Sequence, residues 1–226
     1  MSKSPRPLRN PAETKQKLVD ATVRLMLRQG FTATTVDEIC AEARLTKGSF
    51  FHYFETKDAI GHAALDFFAQ MGTDLYSAAW KDPNLDPLEQ LHRIFEIMIG
   101  FNKSPDEPCL CMVGMMSQEM ALRNPAMREA CKKHLTNWTD MVARMLSAAK
   151  KLYPPAIDFD SEKVAWFLNS LWQGSMLIGK TRQSPEMIIA NIEHARLYVD
   201  GLFGLTSTLS RHPRRTKGNQ QKRKNE

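Results

Sequence analysis

The 226-residue sequence predicts an all-α fold of about nine helices. Three observations carry that reading. Four Asx-Pro or Ser-Pro pairs (Asn10-Pro11, Asp86-Pro87, Asn124-Pro125 and Ser184-Pro185) stand where helices begin. In each, the first residue caps free backbone N–H groups, and the proline occupies a position where its missing donor costs nothing. Apolar residues recur three and four apart between these marks, and no alternating run is long enough for a strand.

Taken in order, Asn10 with Glu13 resembles a capping box, and Leu18, Ala21, Thr22, Leu25 and Met26 stripe a first helix that Gly30 ends. Thr35 with Glu38 opens a short helix reaching about Ala43, and Thr46 caps another reaching Phe54. Only two or three residues lie between them, which is helix-turn-helix spacing. A long helix starts near Thr56 and carries Ile60, Ala63, Ala64, Phe67, Phe68, Met71 and Leu75 on one side. Asp86 with Glu89 caps the next, Pro108 marks a further start, and Asn124-Pro125 begins another. The last two are SEKVAWFLNSLWQGSMLIGK and PEMIIANIEHARLYVDGLFG. The former is apolar around most of its circumference and must be covered on more than one side.

The short helix TKGSFFHYF, Thr46 to Phe54, is unusual. So short a helix is held by packing rather than by propensity, and Gly48 weakens it by about 1 kcal/mol relative to alanine. Phe50 and Phe54, four apart, are expected to face the core with Val36, Ile39 and Leu45. That leaves Lys47, Ser49, Phe51, His52 and Tyr53 toward solvent or a partner. An end offering free N–H groups, a lysine and a residue without a side chain suits close approach to an anionic backbone, or insertion in a major groove.

Charge agrees with a polyanionic partner. The tail from Arg211 to Glu226 holds seven of the 31 Lys and Arg residues and one of the 25 acids, leaving a balanced body. Lys3, Arg6 and Arg9 make the first ten residues basic as well. Both arms, 1–10 and 207–226, are expected to be disordered. No apolar run approaches the roughly 20 residues that span a bilayer, and the basic, proline-broken start does not read as a secretory signal. Four cysteines in a chain of this length do not form a disulfide framework, so a reducing cytoplasm is the expected compartment. No nucleophile elbow, phosphate-cradling loop, HExxH or dinucleotide fingerprint is present, and the six histidines are not grouped with carboxylates; an enzyme is not expected.

The run T-T-V-D-E-I followed by A-x-A-x-L-T-K-G-S-F-F-H-Y-F-x-T-K-D-A-I resembles the DNA-binding signature of TetR-family transcriptional regulators over about residues 12 to 65. The resemblance implies a helix-turn-helix domain over 11–57 and a ligand-binding and dimerisation domain over 58–206. Position by position it implies phosphate contacts from Thr35 and Lys57, and groove contacts from Thr46, Lys47, Gly48, Ser49, His52 and Tyr53. Phe51 stands where the family has tyrosine, and removes a hydroxyl that reaches phosphate. Arg44 stands where the family most often has glycine, so a left-handed backbone there would be strained. A homodimer on a palindromic operator in double-stranded DNA is implied, with repression relieved by a small-molecule or electrophile inducer.

Pairing of the last two helices between protomers is expected to use Phe167, Leu171, Gly174, Ser175, Ile178, Ile188, Ile192, Tyr198 and Val199. For sensing, EPCLCMVGMMSQEMA resembles a motif of a NemR-like branch whose members respond to electrophiles or oxidants, with Cys111 at the branch's cysteine and Cys109 extra. A reactive thiol needs access and thiolate character. The alternative is a non-covalent apolar ligand in a pocket drawn from Met112, Met115, Met116, Glu119, Trp138, Met141 and Trp172. Cys109, Cys111, Cys131 and His134 do not have an established zinc spacing, so neither a metal nor a cofactor is expected.

Overall fold

A computed structural model describes residues 11–103 and 110–205. Nine α-helices and no strand occur among them: α1 Pro11–Gln29, α2 Val36–Glu42, α3 Lys47–Tyr53, α4 Lys57–Trp80, α5 Pro87–Asn102, α6 Met112–Met120, α7 Pro125–Leu152, α8 Ser161–Arg182 and α9 Pro185–Leu202. The cap at Asn10, the basic arms over 1–10 and 207–226, and Cys109 lie outside the described residues.

Capping chemistry sets most boundaries. Thr35 and Glu38 form a reciprocal capping box on α2, and Asp86 and Glu89 do so on α5. Thr46 Oγ1 accepts from the Ser49 amide at 3.1 Å, and Thr56 Oγ1 from that of Ala59 at 3.0 Å. Asn124 and Ser184 cap α7 and α9 as expected, each followed by proline at the first turn. The start expected at Pro108 lies outside the described residues; α6 begins at Met112, with Cys111 at the N-cap and no side-chain bond there, because a cysteine thiol is a weak acceptor.

Two apolar cores form. One gathers Leu18, Leu25, Met26, Phe31, Ile39, Phe50, Ile60 and Leu65 from the N-terminal helices, completed by Met112 and Met116 of α6 and by Met127 and Cys131 of α7. The other packs α5, the later part of α7, α8 and α9 around Leu91, Phe95, Leu146, Leu168, Ile192 and Val199. At 24 residues, α4 is about 36 Å long and runs from the first core, through Ile60, to the second, at Ala79. Its expected apolar stripe is buried only in its first half. Met71 and Leu75 are exposed because they border a cavity, not a neighbouring helix.

Candidate functional site

The turn from α2 to α3 is closed by bonds from the Leu45 amide to the Cys40 carbonyl (2.9 Å) and from the Arg44 amide to that of Ala41 (3.0 Å). Arg44 takes φ +53°, the left-handed conformation expected to be strained there. α3 sits on the core through Phe50, fully buried, and Phe54. Lys47, Gly48, Phe51 and His52 are exposed, while Ser49 and Tyr53 are half-buried. Phe51 lies edge-on to the buried Phe50 at 5.1 Å, and His52 edge-on to Tyr53 at 4.7 Å, so each exposed ring is braced by a neighbour on its own helix. Gly48 has no unusual φ, and a Cβ added there would meet only Thr46 Oγ1, at 3.7 Å. Nothing inside the protein requires glycine at that position.

Both lysines at this surface are engaged within the molecule. Lys47 Nζ lies 2.7 Å from Asp37 Oδ1 in an exposed ion pair, and this bond raises the lysine's pKa. Lys57 Nζ donates to the Thr32 carbonyl at 3.2 Å and stands 4.5 Å from the centre of the Phe31 ring. Burial there lowers its pKa, while Asp58, Glu119 and Glu38 pull it back up. Thr35 Oγ1 is occupied by its capping bonds to Glu38.

A cavity of about 1770 Å³ opens between α4, α5, α7 and α8. Its walls are rich in aromatic and sulfur-bearing side chains, including Tyr76, Trp80, Phe101, Trp138, Trp172, Met141, Met145 and Met176. Polar groups cluster on one side. Asn169 Nδ2 donates to Thr139 Oγ1 at 2.8 Å, and Gln173 Nε2 reaches both Asn169 Oδ1 and Cys111 Sγ at 3.5 Å. His134, on the same wall, bonds Asp66 at 2.7 Å. An apolar chamber with a few convergent polar groups is the general form of a small-molecule site.

The sequence matches the family model for bacterial regulatory proteins of the tetR family over residues 18–64, and that for the tetracyclin repressor-like C-terminal domain over residues 87–195. The chain belongs to the TetR family of DNA-binding transcriptional regulators. Among TetR-type relatives, it is 28% identical over 204 residues to the transcriptional regulator AcuR of Cereibacter sphaeroides, covering 87% of this chain and 84% of that one. It is 25% identical over 173 residues to the HTH-type transcriptional repressor DhaR of a Mycobacterium species, covering 76% and 85%. The crystal structure of reduced E. coli NemR superposes with a TM-score of 0.76 at 20% identity, over 86% of this chain and 99% of that one, which shows a shared fold.

In this TetR-family chain the residues expected to sense ligand divide into three groups. Trp138, Met141 and Trp172 line the cavity, and Cys111 joins them at its edge. Met115 borders a separate small cleft with Gly114, Gln173 and Leu177. Met112, Met116 and Glu119 do not line the cavity. The two methionines are buried in the N-terminal core, on the face of α6 that meets the DNA-binding helices. Glu119 reaches that unit directly, its two carboxylate oxygens accepting from the backbone amides of Phe31 (3.2 Å) and Thr32 (2.7 Å). Burial pushes the Cys111 thiol pKa up, and bonds from the Gly114 amide, the Gln173 side chain and the Val113 amide oppose it only in part.

The expected dimer residues also divide. Phe167, Ile178 and Tyr198 are exposed, with the Phe167 and Tyr198 rings 5.0 Å apart, and Leu171 and Gly174 are half-exposed beside them. Ser175, Ile188, Ile192 and Val199 are buried within the protomer: the three apolar side chains belong to the core shared by α5, α7, α8 and α9, and the Ser175 hydroxyl donates to the Leu171 carbonyl at 2.6 Å. Apolar residues on both faces of a helix give no sequence signal for which face is inner. Sequence reasoning missed the polar ladder of Thr139, Asn169 and Gln173; the available signal was an asparagine set between the apolar Phe167, Leu168, Leu171 and Trp172 of α8. It also missed the pairing of Lys47 with Asp37, which no local spacing announces.

Proposed function

We propose that the chain is a homodimeric repressor that reads a palindromic operator with α3 and is released when a non-covalent, largely apolar small molecule fills the cavity between α4, α5, α7 and α8. Gly48 carries the DNA part of this reading. A glycine that weakens a seven-residue helix, with ordinary backbone angles and open space above it, is explained by a surface that comes close from outside. Thr46, Lys47, Ser49, Phe51, His52 and Tyr53 surround it as groove contacts, with Thr35 and Lys57 beside the phosphates. Residues 11–57 are taken as the DNA-binding domain and 58–206 as the regulatory one.

The dimer reading rests on a stripe along α8 at helical spacing, Phe167, Leu171, Gly174 and Ile178, flanked by Tyr198. No neighbouring atom would meet a Cβ at Gly174, which suits a close helix crossing with a second copy. Two copies bring two α3 helices to one face of a duplex. A non-covalent ligand is favoured over a thiol modifier because removal from water raises the thiol pKa of the half-buried Cys111, away from the reactive thiolate. Ligand in the cavity would bear on α4, which leads directly to Lys57 and the reading unit. A preference of about 1–3 kcal/mol for the unbound form weakens DNA binding tens of times.

The test is selection of duplexes from a random-sequence pool, followed by mobility shifts over a range of salt. The reading expects inverted-repeat sequences bound by two protomers with a steep salt dependence. Enrichment of no sequence, or binding by one protomer to non-repeated sites, refutes it. Compounds that raise the melting temperature are then tested for release of the selected duplex.

A further inference from the structure

We propose that Arg44, in the turn between α2 and α3, supplies a DNA phosphate contact in this chain; the inference rests on the DNA-reading surface proposed above. Three lysines or arginines lie between residues 30 and 58, namely Arg44, Lys47 and Lys57. Lys47 is held by Asp37 at 2.7 Å, so a phosphate must compete with a carboxylate for it. Lys57 is held by the Thr32 carbonyl and lies over Phe31. Among the described residues, no ion pair or side-chain hydrogen bond engages Arg44, which is exposed. Of these three cations it is the uncommitted one among the described residues.

Its backbone points the same way. A left-handed φ of +53° suits glycine, which adopts that conformation without a steric cost. The chain places there a long, permanently charged side chain that makes no ion pair or side-chain hydrogen bond among the described residues. Arg44 lies two residues before the Thr46 cap, so its Cα is within about 7 Å of that of Thr46, and a guanidinium extends several ångströms further. From there it reaches a phosphate flanking the groove that α3 would occupy. Its planar fork binds phosphate oxygens in a two-point fashion that neither engaged lysine can reproduce.

Arg44→Gly separates this role from a structural one, because the two predict opposite signs. The variant removes the charge and relieves the backbone, so its melting temperature should equal or exceed that of the unaltered protein while its DNA affinity falls. The probes are duplexes selected from a random pool by the unaltered chain, together with a random-sequence 30-base-pair duplex. Each lost phosphate contact lowers the salt slope by about 0.9. With two protomers bound, the unaltered protein should lose about twelvefold more affinity than the glycine variant between 50 and 200 mM salt. The loss should be similar on every sequence, since phosphate contacts carry no base information. Arg44→Lys should restore most of the slope. Equal affinity and slope for Arg44→Gly and the unaltered chain, or a loss confined to one sequence, overturns the inference. Failure of the unaltered chain to retain any duplex overturns the DNA reading and the inference with it.

Discussion

Replacement of Glu119 by alanine tests how firmly the DNA-reading unit is fixed to the rest of the chain. The carboxylate bridges α6 to the turn after α1, accepting from the Phe31 amide at 3.2 Å and the Thr32 amide at 2.7 Å. Hydrogen bonds to a charged group contribute about 1.5–3 kcal/mol each. The two do not count equally here, because the Thr32 amide is exposed and water replaces its partner. The Phe31 amide is partly buried beside a fully packed ring, and losing its acceptor costs about 1–3 kcal/mol. Lys57 also loses a favourable charge. A total of about 2–3 kcal/mol follows, or a fall of roughly 5–10 °C in melting temperature for a chain of this size. The measurement is thermal unfolding at fixed protomer concentration, since self-association shifts the apparent stability, with amide exchange at Phe31 and Thr32 as the local readout. Glu119→Gln keeps one acceptor oxygen and should fall between. A change below about 0.5 kcal/mol, with protection at both amides unaltered, would show that the bridge contributes nothing.

Three further outcomes are expected. Lys47→Ala should weaken binding to a selected duplex and flatten its salt dependence, by less than a free lysine would because Asp37 already competes for it; unchanged binding removes Lys47 from the interface. Iodoacetamide should modify Cys111 more slowly near neutral pH than it modifies a free cysteine, because burial raises the thiol's pKa, with the rate climbing only in more alkaline solution; rapid modification at neutral pH, lost in Cys111→Ser, would restore the thiol-sensor reading. Ile178→Glu should yield folded monomers in sedimentation, since its side chain is half exposed on the protomer, whereas Ile192→Glu, in the interior, should unfold the chain; folded dimers of Ile178→Glu would move the interface elsewhere.

How much of this was legible depends on the range of the interaction. Helix starts were readable because a cap and a proline act within four residues, as at Asp86 and Asn124. The packing of Phe50 and Phe54 was readable because four-residue spacing fixes a shared face. The cavity was readable only in part. Trp138, Met141 and Trp172 reach it, yet Met112 and Met116, equally apolar and on a helix beside it, face the other way. Composition names apolar residues; only the arrangement of several helices decides which of two hollows they fill. Glu119 shows the same limit, because its partners lie 88 and 87 residues away.

A division of the chain between residues 57 and 58, at the start of α4, also hides a physical dependence. Met112 and Met116 of α6, and Met127 and Cys131 of α7, complete the core on which α3 rests. The polar bonds gather at the same corner: Glu119 to Phe31 and Thr32, Lys57 to Thr32, and Asn124 to Asp58 at 3.0 Å. The reading unit is therefore held on two sides, by the continuous rod of α4 and by α6. Leu110 and Cys111, which lead into α6, and Val113 in its first turn form part of the cavity wall. A shift of about 1–3 kcal/mol between two forms is enough for regulation, and the Glu119 bridge is of that size. If a ligand acts by loosening this corner, Glu119→Ala should mimic its presence, binding DNA weakly without ligand and responding little when ligand is added. A variant that binds weakly yet still responds in full would assign the coupling to α4 alone.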